Sequence, residues 1–251
     1  MRRCKFKGAP VRHPEQWRPT KVRLSPSGRP LVPGRRGALA PGSTGVALML
    51  ARWHAMMLPR YAHGTLLDLG CGSVPYYDLY RPHVTEILCT DWTKTLHTMV
   101  HLDFVSDLEM HVPLADASVD TVILADVLEH VYHPKHVIAE IFRILRPGGV
   151  AFIHAPLLYV VHEAPHDYFR YTQFAMTRMA QDTGFVIETL MPLGGKFIAF
   201  ADLVGKLLQG ANLIAGPIWA RSLQRLALML SADPPLNKKF PIEIAAVLRR
   251  P

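Results

Sequence analysis

Cysteine is scarce in this chain: 251 residues hold only Cys4, Cys71 and Cys89. An odd, scattered set supports neither a disulfide framework nor a cysteine-rich zinc cluster, and it fits a reducing, cytoplasmic compartment. Long apolar runs are missing too. The longest uncharged stretches, such as Leu207 to Ala220, fall short of the roughly 20 apolar residues of a spanning helix. The basic N-terminus is not followed by an apolar segment, so no signal peptide is read there. Heptads and longer repeats are absent, which excludes coiled coils and solenoids. Acidic residues are nearly missing from residues 1–36, where eleven lysines and arginines face Glu15 alone. That segment carries a net +10 against +8 for the whole chain, so the remainder is slightly acidic at −2. The positive charge therefore belongs to an arm and not to a basic folded surface, and a nucleic-acid partner is not expected. Pro14, Pro19, Pro26, Pro30 and Pro33 rule out an amphipathic transit helix in the arm.

What the chain does contain is a core: 49% of its residues are hydrophobic. The pattern divides it into a basic, Pro-rich arm over 1–42 and a domain over 43–251. The domain has a core at 64–195, a helical insertion at 197–230 and a final strand at 242–248. Within the arm, Lys21–Leu24 and Leu31–Val32 flank Ser25-Pro26-Ser27-Gly28 and predict a small hairpin. Ser43 or Thr44 is expected to cap a helix of about 18 residues. Strands are expected at Thr65–Leu69, Glu86–Thr90, His101–Val105, Val119–Ala125, Val150–Ala155, Gly184–Leu190 and Ile242–Leu248. Helices start at Pro134 and after Thr172. Ile138, Ile141, Phe142 and Leu145 make one apolar face of the first. Strands alternating with helices predict an α/β fold. The expected fold is a Rossmann-like, mostly parallel seven-stranded sheet with helices on both faces and an antiparallel last strand. The arm carries few apolar anchors, so removing residues 1–36 should leave the domain intact; if not, Trp17 is the expected anchor.

Ligands of such sheets bind beyond the carboxyl ends of the strands. The first strand runs into Gly70-Cys71-Gly72-Ser73, where the glycines allow close backbone approach and N–H groups can hold an anion. The dinucleotide fingerprint needs Gly or Ala where this chain has Pro75. Asp68, two residues before Gly70, can instead receive an ammonium group. Asp91 ends the second strand, placed to accept two ribose hydroxyls. Asp107-Leu108 follow the third.

Together these residues resemble the class I S-adenosylmethionine-dependent methyltransferases. Val112-Pro113-Leu114, Ser118-Val119-Asp120, Asp126-Val127-Leu128-Glu129-His130 and Arg146-Pro147-Gly148-Gly149 continue the likeness, in the order of the small-molecule group often called type 11. The resemblance spans roughly residues 64–195. It implies S-adenosylmethionine as cofactor, with Asp68, Gly70 and Gly72 at its methionine end, Asp91 on the ribose, and Asp107, Leu108 and Trp92 at the adenine. Two residues depart from the family pattern: Val74 stands at its third glycine, implying a differently bent loop, and Asp126 replaces a glutamate. The spacing from Asp107 to Pro113 is about one residue longer than usual.

Beyond the fifth strand lies His162-Glu163-Ala164-Pro165-His166-Asp167-Tyr168-Phe169-Arg170-Tyr171. The string H-E-x-x-H is a zinc-protease signature only when both histidines share one continuous helix, and Pro165 breaks that helix. No metal is expected. The loop reads as an acceptor site. His162, His166 and His130, in that order, are candidates for the base, and Asp167, Tyr168 and Arg170 for acceptor binding. The expected activity is methyl transfer to a small-molecule, lipid or sugar acceptor. A non-catalytic cofactor-binding protein and an NAD-dependent oxidoreductase are the alternatives. Insertion 197–230 could cover the pocket, form a dimer surface, or join the arm in a peripheral membrane contact. The sequence leaves the oligomeric state open.

Overall fold

The computed structural model describes residues 21–32, 41–95, 101–210, 216–230 and 239–251. Trp17 and Cys4 lie outside them. The short strands β1 (Arg23–Leu24) and β2 (Pro30–Leu31) pair antiparallel as the expected hairpin. Helix α1 (Thr44–Tyr61) follows a 3-10 turn. The large sheet then begins with β3 (Thr65–Leu69) and β4 (Glu86–Asp91), separated by the short helix α2 (Tyr77–Tyr80). β5 (Phe104–Val105), β6 (Val119–Ala125), α3 (Pro134–Ile144) and β7 (Leu145–Pro156) come next. The remaining elements are α4 (Gln173–Thr183), β8 (Val186–Gly194), α5 (Lys196–Gly210), α6 (Gly216–Met229) and β9 (Pro241–Arg249).

The seven strands lie in the order β5-β4-β3-β6-β7-β9-β8. β9 is antiparallel to both its neighbours, and the other pairings are parallel, so the last strand in the chain is the reversed one, as expected. The alternation of strand side chains splits the core in two. Leu67, Leu69, Val122 and Leu124 face α3 and α4, whereas Leu66 and Ile123 join α1 residues Met49, Trp53 and Met57 on the other face. Helix α4 has the expected cap, with Thr172 accepting from the Ala175 N–H, and ends at Gly184 in the left-handed conformation.

Helix α1 is capped differently from expectation. The Ser43 hydroxyl faces the Tyr159 hydroxyl at 3.2 Å, and the Gly45 N–H is taken by Gln224 Oε1 of α6 at 3.0 Å. Buried Gln224 also donates to the carbonyls of Gly42 and Ala201, so it ties the insertion to the start of the domain. A tertiary donor–acceptor pair thus replaces the local cap.

The hairpin also departs from expectation. Val22 is buried in the core cluster with Trp53, Leu79 and Tyr80, and β1 and β2 lie against α2 and α1. Residues 21–32 therefore pack on the body, because the arm's sparse apolar residues include one that fills the core. Among the described residues, no helix is long and apolar enough to cross a membrane.

Candidate active site

At the end of β3 the chain turns through Gly70 and Gly72 with φ of 74° and 50°. A Cβ at Gly70 would lie 2.6 Å from Val127 Cγ2, so only glycine fits where the loop crosses the segment after β6. The Gly72 N–H donates to Asp91 Oδ2 at 3.0 Å, and Asp91 also accepts from the Trp92 N–H and the Thr95 hydroxyl. The turn and the strand-end acid are thereby locked together. Val74 adopts φ 46°, the left-handed backbone a glycine favours, with its side chain buried beside Cys71, Cys89 and Leu102. That small apolar cluster offsets the strain of a β-branched residue in this region.

Asp68 is not where the sequence suggests. It is buried, its Oδ2 accepts from the Tyr80 hydroxyl at 3.0 Å, and it does not line the cavity at the strand ends. Burial pushes its carboxyl up to about 7, against the hydrogen bond from Tyr80. The physical reason is position: Asp68 lies within β3 on the face packed against Tyr80 of α2, whereas Gly70 and Gly72 follow the end of the strand.

The cavity measures about 890 Å³. Gly70, Gly72, Asp91, Trp92, Asp107 and Leu108 line one side of it. Asp107 Oδ1 accepts from the Glu109 N–H, which fixes the turn after β5. Ser106 also lines the cavity, and its buried Oγ has no hydrogen-bond partner. An orphaned hydroxyl beside Asp107 and an acid at Asp91 match the donors and acceptors of an adenosine group. The chemistry of this wall fits S-adenosylmethionine, and Asp91, Asp107 and Leu108, the positions read for its ribose and base in the sequence, all line the cavity. Ser106 lies inside a predicted loop with no local pattern, so sequence reading passes over it.

His130, His162, His166 and Tyr168 line the other side. The 162–171 loop is tied down: the N–H groups of Tyr168 and Phe169 donate to the Glu129 carbonyl, and the Tyr171 hydroxyl donates to the Leu128 carbonyl. Arg170 donates to both carboxylate oxygens of Asp167 at 2.6 and 2.8 Å, and to the carbonyls of Tyr159, Val160 and Phe169. Those bonds hold Asp167 below the usual carboxylate range. Asp167 and Arg170 do not line the cavity; they brace the loop, and the acceptor role read for them is not where their side chains lie. Asp167 Oδ2 accepts from the His162 N–H at 2.9 Å.

The two histidines of the H-E-x-x-H string part company, as Pro165 requires. His166 Nδ1 lies 2.9 Å from the Tyr168 hydroxyl, and its ring meets Trp92 edge-on at 4.9 Å. His162 meets His130, with ring centroids 4.6 Å apart. Burial lowers the His162 pKa, with His130 adding to the effect. Buried Glu129 lies against both rings. Tyr132, Tyr159 and Glu243 also reach the cavity, and none was singled out from sequence.

The family model described as a methyltransferase domain, of the type 11 group, matches residues 67–153. A probable S-adenosylmethionine-dependent methyltransferase of Mycolicibacterium smegmatis is 27% identical over 214 residues, covering 78% of this chain and 77% of that protein. The thiol S-methyltransferase TMT1B of Rattus norvegicus is 35% identical over 100 residues. That match covers 35% of this chain and only 41% of the relative. In fold, the chain is similar to the [4+2]-cyclase SpnF, with a TM-score of 0.56 at 17% identity over 80% of both chains. It is also similar to a SAM-dependent methyltransferase from Archaeoglobus fulgidus, with a TM-score of 0.51 at 13% identity over 81% of this chain and 92% of that one. The ordered motifs, the reversed β9 and the relatives all support a class I S-adenosylmethionine-dependent methyltransferase, with S-adenosylmethionine as its cofactor.

Proposed function

We propose that the acceptor is a small molecule carrying an ionisable O–H or S–H group, and that His166 takes its proton. The observation that supports this is a single cavity, with Asp91, Asp107 and Leu108 on one side and His130, His162, His166 and Tyr168 on the other. Bound there, the cofactor supplies an activated sulfonium methyl group. Much of the remaining work is then positioning. Trp92, on the cofactor side, meets the His166 ring across the cavity wall. Tyr168 holds His166 Nδ1, which would leave Nε2 to receive the proton of the acceptor as it is methylated. The thiol acceptor in the names of the TMT1B relatives makes thiols the first class to try.

The test is transfer from labelled cofactor to a panel of thiols, phenols and sugar alcohols by the full chain. His166→Ala should lower transfer by about a hundredfold or more while calorimetric cofactor affinity stays within about twofold. Full transfer by that variant would remove His166 as the base.

A further inference from the structure

Once the H-E-x-x-H string is broken, His162 acquires different companions. His130 Nδ1 lies 2.6 Å from the His166 carbonyl oxygen, which can only accept. His130 Nδ1 therefore carries the proton, and Nε2 keeps its lone pair. His162 Nδ1 lies 3.2 Å from the Val160 carbonyl and 3.4 Å from Asp167 Oδ2, also acceptors, so its Nε2 keeps a lone pair too. Both Nε2 atoms point at Glu129 Oε1, each at 3.8 Å. The Glu129 side chain is 1% exposed, and neither carboxylate oxygen makes a hydrogen bond. Two imidazole lone pairs face a buried carboxyl whose pKa burial raises, so the one donor among the three is a proton on Glu129 itself, and at 3.8 Å neither Nε2 is within hydrogen-bond reach of it. What satisfies such an arrangement is a cation.

We propose that Glu129, His130 and His162 bind a first-row divalent cation, zinc by the nature of its donors, in the wall of the acceptor cavity. The ligand atoms lie within 4.8 Å of one another. Bonds of about 2.0–2.1 Å in a tetrahedron put ligands roughly 3.4 Å apart, so the two Glu129 pairs, at 3.8 Å, must each close by about 0.4 Å and the histidine pair, within 4.8 Å, by at most about 1.4 Å. The second shell is already present: each Nδ1–H is held by a backbone carbonyl, as metal-bound imidazoles usually are. All three residues line the cavity, which leaves a fourth position for the acceptor's heteroatom. This inference deepens the acceptor reading above and rests on it for what the fourth position holds. It also reverses the expectation of no metal, which considered only His162 and His166 as a pair.

The test needs neither cofactor nor acceptor. The full chain is stripped with a chelator, titrated with zinc chloride in a calorimeter, and assayed for bound zinc. One zinc per chain is expected, and affinity should fall at least about tenfold in Glu129→Gln and in His162→Ala. His166→Ala should bind zinc like the parent protein. Absence of saturable zinc binding by the parent protein would overturn the site without bearing on the transfer assay. Binding that survives in both folded ligand variants would also overturn it, by placing the zinc elsewhere.

Discussion

The two sides of the cavity are assembled by different means. On the cofactor side, Gly70 follows β3, Asp91 ends β4 and Asp107 lies just beyond β5, and the parallel half of the sheet brings these strand ends to one edge. Each residue needs only its own strand to be positioned, and the Gly72–Asp91 bond joins adjacent strands. On the acceptor side, His130 and the 162–171 loop meet through bonds between segments some 36 residues apart in the chain. The loop's own ion pair, Arg170 with Asp167, keeps it in place. The contrast separates a site that topology supplies from one that a specific bond network must hold. Mutations should therefore damage the two sides in different ways.

The largest effect should come from that network. Arg170→Ala leaves the Asp167 carboxylate, 2% exposed, without its cation. Breaking a buried pair from one side destabilises strongly. With Arg170 partly exposed, a loss of about 2–4 kcal/mol is expected in urea denaturation. A loss below about 0.5 kcal/mol would show that the loop does not depend on this pair, and the contrast would fail.

On the cofactor side the expected effect is on binding. Asp91→Ala removes the acid at the ribose position, and a charge-assisted hydrogen bond contributes about 1.5–3 kcal/mol. Calorimetric affinity for S-adenosylmethionine should drop roughly ten- to a hundredfold. Unchanged affinity would mean that the strand-end acid serves only the loop bonds with Gly72 and Thr95.

Asp68 should give the smallest effect, and it sharpens the comparison because it sits in the cofactor motif without reaching the cavity. Its folded-state value, raised to about 7, lies above that of an unfolded aspartate, so the folded chain holds the extra proton. Its contribution is full below the unfolded value and is lost as pH rises through the folded one. Between about pH 6 and 8 it should lower stability by roughly 1.4 kcal/mol, and Asp68→Asn should remove that slope. Equal slopes in the two proteins would mean that Asp68 is ionised throughout this range.

Most strand positions were legible in the sequence because apolar alternation and turn residues are local, although of the expected His101–Val105 only Phe104–Val105 pairs as a strand. Val119–Ala125 was read residue for residue, and Pro134 and Thr172 marked their helix starts. Gly70, Gly72, Asp91 and Asp107 reach the cavity edge because a parallel sheet sends successive strand ends to the same side. Direction along a strand was legible in this way, but depth was not. Asp68 belongs to the same motif, and only packing against Tyr80 turned it inward. Pro165 was enough to break the helical histidine pair, since proline's lost N–H is a property of one residue. Which partners the freed histidines would take depended on tertiary structure. Glu129 faces His130 and His162, Gln224 caps α1, and Val22 enters the core because long-range folding brings them there. No local pattern encodes such meetings, because each depends on chain segments that contact only after the sheet has formed.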